Sequence, residues 1–411
     1  MGGLKVLITN NTLDERAGSE LYVRDIALGL RARGHAPVAF SRALGAVARE
    51  LRDAQIPVVD DLGAIGAPPD LIHGQHHLET TIAALRFPGV PLISFCHGVV
   101  PWEELPARLP SVSRYVAVDL ACRDRLVREC GIPAEQVSLL FNFVDLARFG
   151  VRGPLPARPR RALIFSNTAC EATHVPPIRA ACASRGIELD VAGSASQVLA
   201  APEAVLGGYD LVFAKARAAM EAMATGCAVV LCDRAGAGPL VTSGEFEALR
   251  EWNFGIRTLR HRVDAHWIGG QIDRFDAADA GRVRELMRER GGLEQRLDEL
   301  LGLYASVLAA PRLPHEPDAL AVAASGYLQW LLPAIKGRGL PPAEAALQRI
   351  DALEERLRSR EREVTRLNRE PGLRLQAAVC RLPVAGPLVR VLGRLLFGTS
   401  GPPPAAGTGR P

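Results

Sequence analysis

Lys215, Arg217 and Glu221 stand at the start of a segment in which Ala216, Ala219, Met220 and Met223 recur at helical spacing. A helix N-terminus leaves backbone N–H groups without intrahelical partners and carries partial positive charge, so two cations placed there offer a site for a phosphate-like anion. The alternative is a solvated Lys-Arg pair, with Glu221 as the i,i+4 partner of Arg217, although basic before acidic is the weaker order for such a pair. Gly18 and Ser19 open a second helix in the same manner. Ala235 to Gly238 is a glycine-rich loop whose backbone either faces a ligand or makes a tight turn, which makes Gly236 and Gly238 candidate anion contacts. His97 closes an apolar run and is either a polar group at a site or a hydrogen-bonded core histidine. His73, His76 and His77 raise the question of a metal, but no carboxylate or cysteine stands at ligand spacing, so no metal site is expected. His76 remains a side chain that could face an acceptor.

The elements that must position these residues alternate strand and helix. Leu4 to Ile8 is an apolar run, Thr9 to Ala17 a polar loop, Leu21 to Leu30 one helix face, Gly34 a stop and His35 to Phe40 the next strand. Such a βαβ opening brings the helix N-terminus to the carboxyl ends of the strands, where ligands collect in a parallel sheet. Ile56 to Val59, Asp70 to His73, Pro91 to Phe95, Tyr115 to Val118 and Val137 to Phe141 extend the series. Pro154, Pro156 and Pro159 then make a stiff connection. Beyond it, Ala162 to Phe165, Glu188 to Ala192, Asp210 to Phe213 and Ala228 to Cys232 form a second set, with Gly226 stopping the helix before the last. The pattern predicts two parallel α/β domains, 1–150 and 151–312, a helical connection at 313–342, three heptads of coiled coil or a lone solvated helix at 343–369, and a basic apolar segment with a disordered tail at 370–411.

Composition narrows the class. At 411 residues, 48% apolar and 23% charged, the chain is a folded protein of more than one core. A net charge of +4 is too small at this length for wholesale nucleic-acid binding. Eight scattered cysteines with no CxxC pair, several inside apolar runs, fit reduced buried thiols in a reducing compartment. There is no signal-peptide pattern and no uninterrupted apolar run of spanning length, so a cytoplasmic location is expected. The pattern GxGxxG is absent, which leaves a dinucleotide fold with little support.

Several fragments resemble one family in their joint order: GSE before a helix ending in RGH, DLIHGQHH, SFCHG, NFVDLARF and EAMATGCAVV. They are similar to family 4 glycosyltransferases of the GT-B fold, over approximately residues 4 to 310. The resemblance implies two Rossmann-like domains facing a cleft, and a nucleotide-sugar donor bound mainly by the second. It also implies metal-independent transfer with retention, and no cofactor beyond the donor substrate. It implies that Gly18 and Ser19 let the donor diphosphate approach a helix start, that His97 contacts the donor sugar, and that Glu221 accepts hydrogen bonds from the ribose hydroxyls. It further implies that the Ala235–Pro239 loop closes on the phosphates. Asn142 and Asp145 match the family's NxxD segment, where a structural turn is the default role.

The chain also departs from the family pattern. A second glutamate is usual two helical turns before Glu221, and here Phe213 occupies that position. The usual Gly-Arg and Lys-Gly phosphate clamp is not recognisable, so either Lys215 and Arg217 have taken over diphosphate binding or they are a surface-facing pair beside Glu221. Two readings of function follow: a glycosyltransferase acting on a glycan or lipid-linked acceptor in cell-surface assembly, or a non-catalytic GT-B scaffold recruiting partners. Residues 373–397 place Arg374, Arg381, Arg390 and Arg394 among Leu, Val and Phe, which suits peripheral contact with the inner face of a membrane. Pro383 and Pro387 suit a packing segment instead. Self-association would run through 343–369.

Overall fold

Near-continuous runs of Val, Ile and Leu form strands buried on both faces, as the parallel sheets of α/β proteins require. A computed structural model describes residues 3–193, 199, 201–310 and 318–336. The described residues belong to one compact unit, Met1–Gly339. Seven strands, β1 (Lys5–Thr9), β2 (Ala36–Phe40), β3 (Val58–Val59), β4 (Leu71–Gln75), β5 (Leu92–Cys96), β6 (Val112–Ala117) and β7 (Val137–Leu139), build the first sheet. All pair in parallel in the order β3-β2-β1-β4-β5-β6-β7. The second sheet contains β8 (Arg161–Phe165), β9 (Glu188–Ala192), β10 (Leu211–Ala214), β11 (Ala228–Asp233) and β12 (Gly236–Leu240), in the order β12-β11-β10-β8-β9.

Each sheet changes winding direction once, between β1 and β4 in the first and between β8 and β10 in the second. Crevices outside the carboxyl ends of strands at such points are where doubly wound sheets take ligands. The loops that carry Gly18 and Lys215 leave β1 and β10, so both emerge at a switch point.

The glycine segment behaves differently from its sequence expectation. Residues Gly236–Leu240 form β12, antiparallel to β11, with Gly236 and Gly238 buried. A Cβ on Gly238 would come within 2.7 Å of the Thr258 carbonyl oxygen, and one on Gly236 within 3.0 Å of the carbonyls of Leu259 and His261. Close backbone packing against 258–261 leaves no room for a side chain at either glycine.

The helix Leu293–Ala309 crosses back to the first domain. It lies within the range 151–312 read as the second domain, yet Leu297, Leu300 and Tyr304 pack into the core of the first, with Val23, Ile26 and Leu30 of the helix Gly18–Ala32. Gly29 permits this approach, because a Cβ there would lie 2.3 Å from Leu297 Cδ1. Outside the contact, Arg33 pairs with Glu294 and Asp298 at 2.7 Å each. A second helix, Ala319–Ile335, follows and packs against the helix His77–Arg86. The heptads at 343–369, the basic segment at 373–397 and the C-terminal tail lie outside the described residues.

Replacing Leu297 by Ala should remove about 3 kcal/mol of stability, since a fully buried leucine leaves a cavity its neighbours fill only in part. Urea unfolding would show this as a lower midpoint, and an unchanged midpoint would contradict the packing described.

Candidate functional site

A cavity of about 320 Å³ opens between the two sheets at their carboxyl ends. The first domain contributes Arg16, Ala17, Gly18, Leu21 and Arg24 from the β1 loop and its helix, and Arg148 from the segment after β7. The second contributes Ser166 to Thr168 after β8, Gly193 after β9, Lys215 to Ala218 after β10, and Asp233 at the end of β11.

Two helices begin at its wall. Gly18–Ala32 and Ala216–Thr225 both lack a side-chain N-cap, so the first-turn N–H groups are not claimed by a Ser, Thr, Asp or Asn oxygen. A Cβ on Gly18 would find nothing within 4 Å, so the glycine leaves open space in the cavity wall. Ala216 holds φ +49°, a left-handed conformation costly for a residue with a Cβ, and its N–H donates to the Phe254 carbonyl at 2.8 Å. That strained turn swings Lys215 and Arg217 to the head of the helix.

The charges at this junction are organised across the domain boundary. Arg217, on the second-domain helix, donates through Nη2 to Asp25 Oδ2 of the first-domain helix and through Nε to Glu221 Oε1 at 2.8 Å. Arg24 Nη2 reaches Asp25 Oδ1 at 2.7 Å and Arg24 Nη1 reaches Glu50 at 3.1 Å. Burial alone would raise the Asp25 pKa, but Arg217 and Arg24 outweigh it and hold the carboxyl below its ordinary value. For Glu221 burial wins, and its pKa is raised despite Arg217. Lys215 Nζ lies 2.9 Å from Asp233 Oδ2, and Thr168 donates to Asp233 Oδ1 at 2.7 Å. Burial pushes Asp233 up as well, yet Lys215 overcomes this and lowers it.

Thus Gly18, Lys215, Arg217 and Glu221 meet in one cavity. Ser19 does not line it, and its hydroxyl donates to Glu20 at 2.9 Å. Gly236 and Gly238 do not line it and lie in β12. Phe213 is wholly buried in β10, so its position belongs to the sheet core. The weak-order pair Arg217–Glu221 does form, because Asp25 fixes the guanidinium from the other side.

The two histidines named for the cleft occupy a neighbouring buried cluster at the ends of β4 and β5. His76, at φ +60°, accepts from the Asn11 N–H through Nδ1 at 3.2 Å and places Nε2 3.6 Å from Glu104 Oε1. Burial would lower His76, but Glu104 reverses this and raises it. His97 donates its backbone N–H to Glu104 Oε2 at 2.8 Å and packs edge-on to Tyr22 at 4.5 Å. Burial takes the His97 imidazole down to about 4, so it is neutral at physiological pH, and its Nε2 has no partner among the described residues. His73 bonds Tyr304 at 2.5 Å and stacks on Phe95, which makes it a core histidine. Among the described residues, no group of three or more His, Cys, Asp or Glu side chains is placed to hold a metal ion.

Sequence reasoning missed Arg16, Arg24, Asp25, Arg148 and Asp233. Asp233 carried a readable signal, a carboxylate ending a buried strand. Asp25 carried none, because its partner lies 192 residues away.

Residues 16–148 match the family model described as Glycosyltransferase Family 4. No curated protein sequence matches the chain. Among solved structures, a glycosyltransferase from Rickettsia africae ESF-5 superposes with a TM-score of 0.56 at 13% identity, covering 76% of this chain and 100% of that one. HepE from Anabaena, solved in complex with UDP-glucose, gives 0.54 at 17% identity, covering 74% and 100%. At these identities the likeness is one of fold.

Arg217→Gln should cost about 3 kcal/mol, since it takes from the buried Asp25 carboxylate one of its two guanidinium partners and leaves Glu221 without its own, and adding Asp25→Asn should restore part of that. The native Asp25 pKa is depressed, so its contribution is present at neutral pH and is lost as pH falls through that native value, below about pH 4. Chemical denaturation across pH checks both, and equal acid sensitivity in Asp25→Asn and the parent would contradict the assignment.

Proposed function

We propose that this chain, whose residues 16–148 match the family 4 glycosyltransferase model and whose fold is like that of solved glycosyltransferases, binds a nucleoside diphosphate sugar in its cleft and passes the sugar to an acceptor held by the first domain. The observation that carries this is the meeting of two helix N-termini without side-chain caps in one cationic cavity. Departure of a diphosphate builds negative charge on its leaving oxygens, and fixed N–H dipoles and cations stabilise that charge. Lys215, Arg16 and Arg148 line the cavity and supply cations where the β8 loop carries Ser166, Asn167 and Thr168. In this reading transfer is metal-independent.

Glu221 takes the ribose hydroxyls. Arg217 holds its Oε1 and so fixes the carboxylate in the cavity wall. A uridine donor is favoured by the likeness to HepE, which was solved with UDP-glucose. We also propose neutral His97 as a contact to the donor sugar, although it does not line the cavity and its Nε2 is buried without a partner among the described residues. We assign the reaction as retaining, the acceptor as a lipid-linked or polymeric cell-surface glycan, and the location as cytoplasmic, with membrane contact through 373–397.

Thermal unfolding with UDP, GDP and ADP tests the site. UDP should stabilise the protein by about 2.7 kcal/mol at a hundredfold excess over its Kd, and the other two by less. Lys215→Ala should weaken UDP binding about tenfold. No stabilisation by any nucleotide would remove the proposal. Products formed from UDP-sugars and membrane extract, resolved by mass spectrometry and anomeric NMR, then report turnover and stereochemistry.

A further inference from the structure

The helix Ala319–Ile335 contains no charged residue, although much of it faces solvent. A surface helix of a soluble domain carries a polar outer stripe opposite its buried face. Here the outer positions include Val322, Leu328, Trp330 and Leu332, which are 69, 60, 43 and 46% exposed. The helix beneath, His77–Arg86, adds exposed Ile82 and Leu85. An apolar face of this kind marks an interaction surface.

We propose that this face docks on an anionic lipid bilayer, with the helix lying in the plane of the headgroups. Three observations select that occupant. The helix does not meet the length and apolarity needed to cross a membrane, which leaves the interfacial position. Its aromatic residues are of the interfacial type: Trp330 is partly exposed, and beneath it Tyr327 bonds His77 Nδ1 at 2.8 Å while Trp102 lies 6.5 Å from Trp330. Charge decides between lipid and a second copy. The chain continues from this helix through residues 336–411 with 14 Lys and Arg against seven Asp and Glu, and with no acid after Glu370. That excess attracts anionic headgroups and repels another copy of itself.

The location gives the surface a use. His77 directly follows His76, and Trp102 lies in the loop that leaves His97, so the aromatic base of the docked helix rests on the ends of β4 and β5. A bilayer held there presents lipid-borne material to the end of the first domain that faces the cleft. The surface stands apart from the donor cavity, so the two can fail independently.

Flotation of the full chain with phosphatidylcholine vesicles, and with the same vesicles containing phosphatidylglycerol, tests the proposal. Binding should require the anionic lipid. Leu328→Glu with Trp330→Glu should reduce it about tenfold or more while leaving UDP-dependent thermal stabilisation unchanged. Vesicle binding equal to the parent, as when the C-terminal basic segment suffices alone, overturns the proposal. So does sedimentation showing that the parent self-associates through this face and ignores vesicles. Should the double variant not fold, bromolipid quenching of tryptophan emission in the parent supplies the readout. It should fall in Trp330→Phe, and undiminished quenching contradicts the docking.

Discussion

The ion pair between Asp25 and Arg217 is the constraint on which the cleft depends. It joins the helix that opens the first domain to the helix that follows β10 in the second, and Asp25 is only 1% exposed as a side chain. Removing two charges from water costs several kcal/mol per ion, so such a pair contributes little net stability when compared with an apolar replacement. Its consequence is geometric. Each partner becomes costly to leave alone, and the two helix starts are held in one register around the cavity. Arg24 and Glu221 complete the set, so the guanidinium of Arg217 is gripped from both domains.

From that register the electrostatics of the cavity follow. Two helix N-termini point partial positive charge into the same space, and Arg16, Arg148 and Lys215 surround it. Most of these cations are balanced by carboxylates set back from the cavity, Glu50 for Arg16 and Glu203 for Arg148, with Asp233 facing Lys215 in the wall itself. The site therefore combines strong local dipoles with modest net charge, an arrangement suited to a diphosphate that must leave again. The sugar-facing carboxylate that the family resemblance calls for has no counterpart at Phe213, whose ring fills the sheet core.

Much of this architecture was readable from the chain. Parallel strands covered on both faces leave unmistakable apolar runs, and Leu211 to Ala214 and Ala228 to Asp233 differ from expectation by a residue or two at their ends. Gly226 ends its helix at φ +104°, as a glycine C-cap should. Other features depend on remote contacts. Gly236–Leu240 looks like a loop because its glycines answer to carbonyls 20 or more residues away, and the helix Leu293–Ala309 shows its destination only through Gly29. Lys215 and Arg217 were legible as cations at a helix start, and Glu221 as a partner of Arg217, whereas Asp25 was not, since it comes from the other domain.

Gly18 offers the most direct access to the central claim, that the cavity between the two helix starts is the diphosphate site. A Cβ there meets no atom within 4 Å apart from its chain neighbours, so Gly18→Val should fold as the parent does while filling the space the phosphates would occupy. Calorimetric titration of UDP into both proteins measures this. Binding should be at least about tenfold weaker in Gly18→Val at an unchanged unfolding midpoint; equal affinity in the two proteins would contradict a diphosphate site in this cavity.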